Sequence, residues 1–293
     1  MKIAILGASG YIGHNLINKL LATTEHDIVA IAPDATSIKI NNPRLFKANV
    51  DVFDTPTLAV ALKTCDMGYY LIHMMAQNKL DFAVAETKAA NSYAEAAKGS
   101  SLKRVIYLGG LGSDHDKLSK HLASRHNSCQ ILRDNLAQVI EFRASMVIGD
   151  GSISYDIITN LVHKLPILTL PKWASTRTQP IGLVDAIDYL VSALDVKIDK
   201  SLIIEIGGPE QLSYEDLMKR YAKWKGRQAL FIRLPIIPIH ISAWWLNLFT
   251  PPRHAKVGIA MVESLANPMI VTNNLSKELF PNISPLKLEK VFV

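Results

Sequence analysis

Short apolar runs alternate with stretches of helical periodicity along the first half of the chain. "KIAIL" (Lys2 to Leu6) is an apolar run that ends at glycine, and "YIGHNLINKLLATT" then sets Ile12, Leu16 and Leu20 on one helical face. "DIVAIA" predicts a second strand stopped by Pro33-Asp34, and "RLFKANV" a third. "DTPTLAVALKTC" carries helix-start signals, with Asp54 or Thr55 as N-cap and Pro56 near the first helical position. "MGYYLIHMM" predicts a fourth strand and "LDFAVAETKAANSYAEAAKGS" a long Ala-rich helix. "KRVIYLGGLG" follows as a fifth strand, Leu118 to Asp134 as a helix, and "AQVIEFRASMVIGDGS" as a sixth strand with a Gly-containing loop. Strand–helix alternation repeated in this way predicts an α/β fold with an open, doubly wound parallel sheet.

After Gly151 the rhythm changes. "YDIITNLVHKLP" reads as helix, "TQPIGLVDAIDYLVSAL" as a short strand running into a helix, "LIIEIGG" as a late strand, and "SYEDLMKRYAKWKG" as a helix capped by Ser213. The expected organisation is a sheet domain over residues 1–150, to which 180–206 returns. A small α/β C-terminal lobe is then woven from 151–179 and 207–293.

The first strand–helix junction carries the clearest chemistry. "GASGYIG" places Gly7, Gly10 and Gly13 in a G-x-x-G-x-x-G arrangement, with Tyr11 and Ile12 opening the helix. The first Gly permits the tight turn, the second lets a pyrophosphate approach the backbone, and the third lets helix and strand pack closely. The helix N-terminus offers free N–H groups, and Ser9 adds a hydroxyl donor. These features predict binding of NAD(P)(H). Asp34 lies 21 residues after Gly13, where an acidic side chain takes the ribose hydroxyls of NAD. Its plainer reading is a turn residue. No Arg ends the second strand, although Lys39 and Arg44 are nearby cations, so the cofactor preference stays open with a lean to NAD(H).

Composition excludes more than it selects. Hydrophobic residues make up 49% and charged residues 20%, as in ordinary globular chains. The net charge of +6 comes from scattered residues without a run of five or six Lys/Arg, so nucleic acid is not an expected partner. Cys65 and Cys129 are too few for a disulfide framework and lack metal-ligand spacing. No metal is expected, and a reduced, cytoplasmic setting fits. "MKIAILGASGYIG" lacks a signal-peptide cleavage pattern. Arg233, Pro235, Pro238 and His240 interrupt "ALFIRLPIIPIHISAWWLNLF", leaving no clean apolar span of about 20 residues. Trp244, Trp245, Leu248 and Phe249 within it read as lobe packing, or as a lip over the cleft. Residues 229–250 alternatively offer a protein-partner or membrane-surface contact.

Taken together, "GASGYIG", "YYLIHMM", Asn91, "ILRDNLAQVIEFRASMVIGDGS", "LPILTLPKWASTRTQPIGLVDAIDYL" and "GGPEQLSYEDLM" give the chain a family likeness. It resembles the atypical and extended short-chain dehydrogenase/reductases in their NmrA-like branch, with YbjT-like NAD(P)-binding proteins as the nearest likeness. That resemblance implies a Rossmann domain with the nicotinamide near the ends of the fourth and fifth strands. It places Asn49 and Val50 at the adenine, and Leu71, His73 and Met74 along the cofactor and substrate. Gly109 stands where a Ser or Thr usually holds the substrate carbonyl. Trp173 and Arg177, with Gln179, fall on the substrate side. Arg177 has a structural alternative in an ion pair with Asp185 or Glu205.

In reductases of this superfamily a Tyr and a Lys, four apart on one helix, face the nicotinamide. Here "SKHLASRH" puts His121 and Arg125 at those positions, on one helical face. An imidazolium at His121 would donate the carbonyl proton while Arg125 holds the nicotinamide ribose, although the adjacent Arg favours neutral imidazole. The plainer readings are an exposed His121 and an Arg125 that clamps a phosphate or carboxylate. His73 is a second candidate near the nicotinamide. The sequence therefore suggests an NAD(P)-dependent oxidoreductase acting on a small carbonyl or quinone-like acceptor. Its rivals are a non-catalytic redox sensor or assembly factor and, behind it, a nucleotide-sugar epimerase.

Overall fold

The computed structural model describes residues 1–74, 81–113, 117–234 and 263–293. Its centre is a sheet of seven strands: β1 (Lys2–Leu6), β2 (Asp27–Ala32), β3 (Leu45–Asn49), β4 (Met67–Tyr70), β5 (Arg104–Gly110), β6 (Val139–Ala144) and the later strand Leu202–Ile206. Across the sheet the order is Leu202–Ile206, β6, β5, β4, β1, β2, β3, and every neighbouring pair is parallel. The chain moves outward in one direction from β1 to β3, returns, and moves outward in the other from β4. The reversal opens a crevice between the C-terminal ends of β1 and β4, where α/β folds bind ligands.

Side-chain alternation along β1 shows why helices cover both faces. Ile3 and Ile5 join a core completed by Leu16, Ile17 and Leu20 of α1 (Tyr11–Thr23) and by Ile187 and Leu190 of α6 (Leu183–Ser192). Ala4 and Leu6 join the opposite core. That one is built by Leu58 and Leu62 of α2 (Thr55–Leu62), the alanines of α3 (Phe82–Ala97), and Cys129 and Leu132 of α4 (Lys120–Asn135). Each fully buried leucine contributes about 1.5–3 kcal/mol of transfer free energy. Both cysteines are buried free thiols.

Local signals set the helix starts. Asp54 caps α2 through Thr57 N, Asp81 caps α3 through Ala83 N, and Ser119 caps α4 through Leu122 N. Ser213 forms a capping box with Asp216 at the start of α7 (Tyr214–Trp224). A third cluster joins α7 to Tyr155, Ile158 and Leu161 of α5 (Ile153–Lys164), and to Leu288 and Phe292 near the C-terminus.

The fourth strand is shorter than its apolar run suggested. Leu71 N still donates to Leu6 O, but Gly7 then turns away at φ 89°, and β4 loses its neighbour. Leu71, His73 and Met74 therefore follow the strand. Of the apolar segment 229–250, Leu230–Arg233 forms a strand parallel to Ile167–Leu170. Trp244, Trp245, Leu248 and Phe249 lie outside the described residues. Among those described, no helix is long and apolar enough to cross a membrane.

The helix–strand junction makes a stability prediction. A Cβ at Gly13 would lie 2.3 Å from Gly7 O and 2.9 Å from Ala8 Cα, whereas one at Gly10 would meet only Gly7 O, at 3.2 Å. Gly13→Ala is expected to cost about 1–3 kcal/mol in a urea titration through overpacking. Gly10→Ala should cost clearly less. Equal losses would contradict the close-packing role of Gly13.

Candidate active site

The crevice begins at the glycine loop. Gly7 holds a positive φ because the backbone of Leu71 passes close by: a Cβ there would lie 2.8 Å from Leu71 C. Ser9 and Gly10 are exposed, and Gly10, at the N-cap of α1, has no capping side chain. The first-turn N–H groups of Tyr11 and Ile12 are thus left for an anion, and the pyrophosphate of a dinucleotide fits this cradle. Only the backbones of these two residues suit that role. The Ile12 side chain packs against the core, and the Tyr11 ring lies under Gly149 and Gly151. Burial, Asp150 and Asp156 push the Tyr11 phenol up, and its buried oxygen has no hydrogen-bond partner.

At the end of β2, Asp34 is exposed and caps the turn Ala35–Ser37 through Thr36 N. Thr36 also lowers the Asp34 pKa through its hydroxyl. The turn reading thus describes its contacts, and the carboxylate stays at the surface. Asn49 Oδ1 accepts from Ala35 N at 2.8 Å and pins the same turn. The Val50 side chain belongs to the core. Arg44 is not available to a ribose phosphate: it donates to Leu21 O, Thr24 O and His26 O, closing the C-terminal end of α1.

The other end of the crevice is a charged knot with its donors turned inward. Glu86 of α3 is 1% exposed. Its Oε1 lies 3.1 Å from His73 Nδ1 and accepts from Met74 N at 3.1 Å, while Oε2 lies 3.7 Å from Arg125 Nη1. Burial alone would raise this carboxyl, but Arg125, His73 and Met74 N together bring it down from 4.5 to about 2. Arg125 donates to Ile72 O at 2.9 Å and to Leu108 O, with its guanidinium 4.7 Å from the Tyr107 ring centroid. Rather than reaching outward as a ribose clamp, it ties together the chain ends beyond β4 and within β5.

His121 Nε2 stands 2.8 Å from His73 Nε2, the two rings stacked with centroids 4.9 Å apart. Its Nδ1 is 2.9 Å from Ser264 Oγ. Burial, then the neighbouring His73 and Arg125, lower the His121 pKa to about 3. The imidazolium donor suggested by the sequence is therefore replaced by a neutral imidazole. Burial also lowers His73, against the pull of Glu86.

His121 opens onto a cavity of about 120 Å³ whose wall includes Gly110, Met146, Trp173, Met218, Ser264 and Met269. Trp173 reaches the site from the second half of the chain, and its buried indole N–H has no acceptor. Three expected substrate residues do not line it. Met74 is buried in the core. A side chain at Gly109 would face Tyr107 and Glu141, and it is Gly110 that borders the cavity. Arg177 is exposed and donates to Gln211 at 3.4 Å, not to Asp185 or Glu205. Ser264 was missed, since no local motif marks a serine brought in from so far along the chain. Among the described residues, no group of three or more His, Cys, Asp or Glu is placed to hold a metal.

The two displaced pKa values predict acid lability in two steps. Between pH 6.5 and about 3 the unfolded chain binds a proton at residue 121 that the folded chain refuses, so stability falls as pH drops. Between pH 4.5 and about 2, Glu86 acts in the same direction, and its displacement corresponds to roughly 3 kcal/mol. Urea titrations across this range should show His121→Gln flattening the upper part and Glu86→Gln the lower. Glu86→Gln should also destabilise at neutral pH by about 3 kcal/mol by leaving Arg125 buried without its counter-charge. A pH profile unchanged by both substitutions would refute this electrostatic account.

Residues 7–146 match the NAD(P)H-binding family. Curated proteins give no match to the chain. Among solved structures, the triphenylmethane reductase of Citrobacter sp., also solved with NADP(H), superposes with a TM-score of 0.78 at 12% identity, covering 99% of this chain and 98% of that one. A nucleoside-diphosphate-sugar epimerase from Staphylococcus aureus gives 0.76 at 15% identity over 99% and 98%. The UDP-glucuronic acid 4-epimerase of Bacillus cereus in complex with NAD gives 0.67 at 20% identity over 92% and 97%. At such identities the likeness concerns the fold. Residues 7–146 accordingly resemble an NAD(P)H-binding domain, in a chain that shares the fold of these reductase and epimerase structures.

Proposed function

We propose that the chain is an NAD(P)H-dependent reductase of the NmrA-like kind, acting in the cytoplasm on a small, largely apolar carbonyl or quinone-like acceptor. The observation that carries this reading is the cavity beside His121. It adjoins Gly110 at the end of β5, and its wall is mostly aliphatic, thioether and indole. A bound reduced nicotinamide supplies the hydride. The chain's part is to hold the dinucleotide on the α1 N-terminus and to surround the acceptor with an apolar wall. Asp34 puts a negative charge near the adenosine ribose, which disfavours a 2′-phosphate, and Arg44 is engaged elsewhere. NADH is the expected cofactor.

Two other readings have different standing. Nucleotide-sugar epimerisation is disfavoured, because the Tyr and Lys on which it normally relies are replaced by His121 and Arg125. A non-catalytic redox sensor is favoured by one observation, the engagement of Arg125 by Ile72 O and Leu108 O. Calorimetric titration with NADH and NADPH, followed by cofactor oxidation in the presence of naphthoquinone or benzaldehyde, separates them. Tighter NADH binding with acceptor-dependent turnover is expected. Binding without turnover on either acceptor would hand the site to the sensor reading, and binding of neither cofactor would overturn both.

A further inference from the structure

Glu86, His73, His121 and Ser264 stand in one line of hydrogen bonds, although they come from α3, the segment after β4, α4 and a distant part of the chain. The successive contacts are 3.1 Å from Glu86 Oε1 to His73 Nδ1, 2.8 Å between the two Nε2 atoms, and 2.9 Å from His121 Nδ1 to Ser264 Oγ. Proton positions follow from one end. An ionised carboxylate only accepts, so His73 presents Nδ1–H to Glu86 and keeps Nε2 as an acceptor. His121 then donates through Nε2, which leaves its Nδ1 to accept from the Ser264 hydroxyl. Ser119 Oγ lies 2.9 Å from Ser264 Oγ and already accepts from Leu122 N, so the Ser119 hydroxyl donates to Ser264. Each link holds one proton, and all point from the cavity toward Glu86.

The two ends of the line meet different surroundings. Ser264 is 3% exposed and borders the apolar cavity, while His73 keeps 35% of its side-chain surface exposed. We propose that Ser264, His121 and His73 form a proton relay between the apolar cavity and solvent. Ser264 is the catalytic residue that exchanges a proton with the acceptor's oxygen, and Glu86 is a positioning residue. The substrate in this proposal rests on the reductase reading; the relay belongs to the chain itself.

From the resting arrangement protons move only toward His73, so the relay is written first for the alcohol form of the substrate. Its O–H proton passes to Ser264 Oγ as the Ser264 proton moves to His121 Nδ1, the His121 Nε2 proton moves to His73 Nε2, and His73 releases it to solvent; the alcohol's hydride would go to an oxidised nicotinamide. Reduction is the reverse. A bound reduced nicotinamide would supply hydride to the carbonyl carbon, and the C=O π pair moves onto oxygen and takes the Ser264 proton. Ser264 is refilled from His121 Nδ1–H, and His121 Nε2 is refilled from His73, which has drawn a proton from solvent. Reduction thus starts from the His121 Nδ1–H tautomer and ends in the arrangement seen here, and proton exchange of His121 with solvent between turnovers restores the starting tautomer. In reduction one proton enters at His73 and one leaves at Ser264 for each hydride transferred, and the Glu86 carboxylate balances the transient imidazolium on His73.

Long-range proton–nitrogen NMR on the full chain without cofactor tests the relay in the absence of turnover. Near neutral pH the expected spectrum shows His73 as the Nδ1–H tautomer and His121 as the Nε2–H tautomer, with Ser264→Ala moving the His121 Nδ1 resonance. A proton on His121 Nδ1, or a resonance indifferent to Ser264→Ala, would overturn the relay. In turnover, Ser264→Ala should leave NADH affinity unchanged and slow naphthoquinone or benzaldehyde reduction roughly 100-fold. His73→Ala should be slowed too and partly rescued by added imidazole. Unaltered turnover in Ser264→Ala would remove its catalytic role. The expected tautomers in a wild-type protein that reduces neither acceptor would overturn the reductase reading and leave the relay standing; the reverse pattern would do the opposite.

Discussion

Burying a carboxylate between two helices is costly unless donors and a counter-charge surround it, and around Glu86 the fold assembles them. Arg125 faces it from α4, His73 from the segment after β4, and Met74 N and the Ser128 hydroxyl donate to it. Much of the crevice follows from this one requirement. Arg125 cannot swing outward without leaving Glu86 buried and uncompensated, so its remaining N–H groups settle on Ile72 O and Leu108 O. Those bonds hold the chain beyond β4 against the end of β5, where the sheet opens. His73 is oriented by the same carboxylate, and His121 by His73.

The glycine loop answers a different constraint, the closeness of backbone to backbone. Gly7 sits where β1 ends and the chain after β4 passes, and Gly13 where α1 presses on the loop. Neither position has room for a side chain. Gly10 is less crowded, with Gly7 O at 3.2 Å from a Cβ placed there, and what its missing side chain leaves open is the approach to the α1 N-terminus. The cofactor end is thus shaped by space and the reactive end by charge. Parallel strand order brings the two within one crevice at the reversal between β1 and β4.

What could be read in the sequence follows from how local each cause is. The strand–helix rhythm, the helix starts at Asp54, Ser119 and Ser213, and the glycine loop are written within a few residues each, and they appear in the structure close to where they were expected. The length of β4 was not legible, because it is limited by the turn of a neighbouring strand and not by its own apolar run. Alternation within a strand decided that Gly110 and not Gly109 meets the cavity, and a one-residue difference reverses the face. Glu86 was hidden inside an Ala-rich helix where its neighbours suggest only helix propensity. Ser264 depends on contacts with Ser119 and His121, more than a hundred residues earlier, and nothing in its local sequence indicates them.

The exchange of Tyr and Lys for His and Arg is coherent once these contacts are considered together. A lysine is a single flexible point charge, whereas the planar guanidinium of Arg125 can satisfy two carbonyls and face a carboxylate at once. That fixes a permanent positive charge inside the cleft. Beside it an imidazole is held neutral, so His121 cannot work as a standing acid in the way a tyrosine does next to lysine. A neutral imidazole with one nitrogen facing Ser264 and the other facing His73 can still pass a proton through, taking one on one side as it releases one on the other. In this cleft the charge stays on Arg125 and Glu86, and the proton moves along groups that remain neutral at rest.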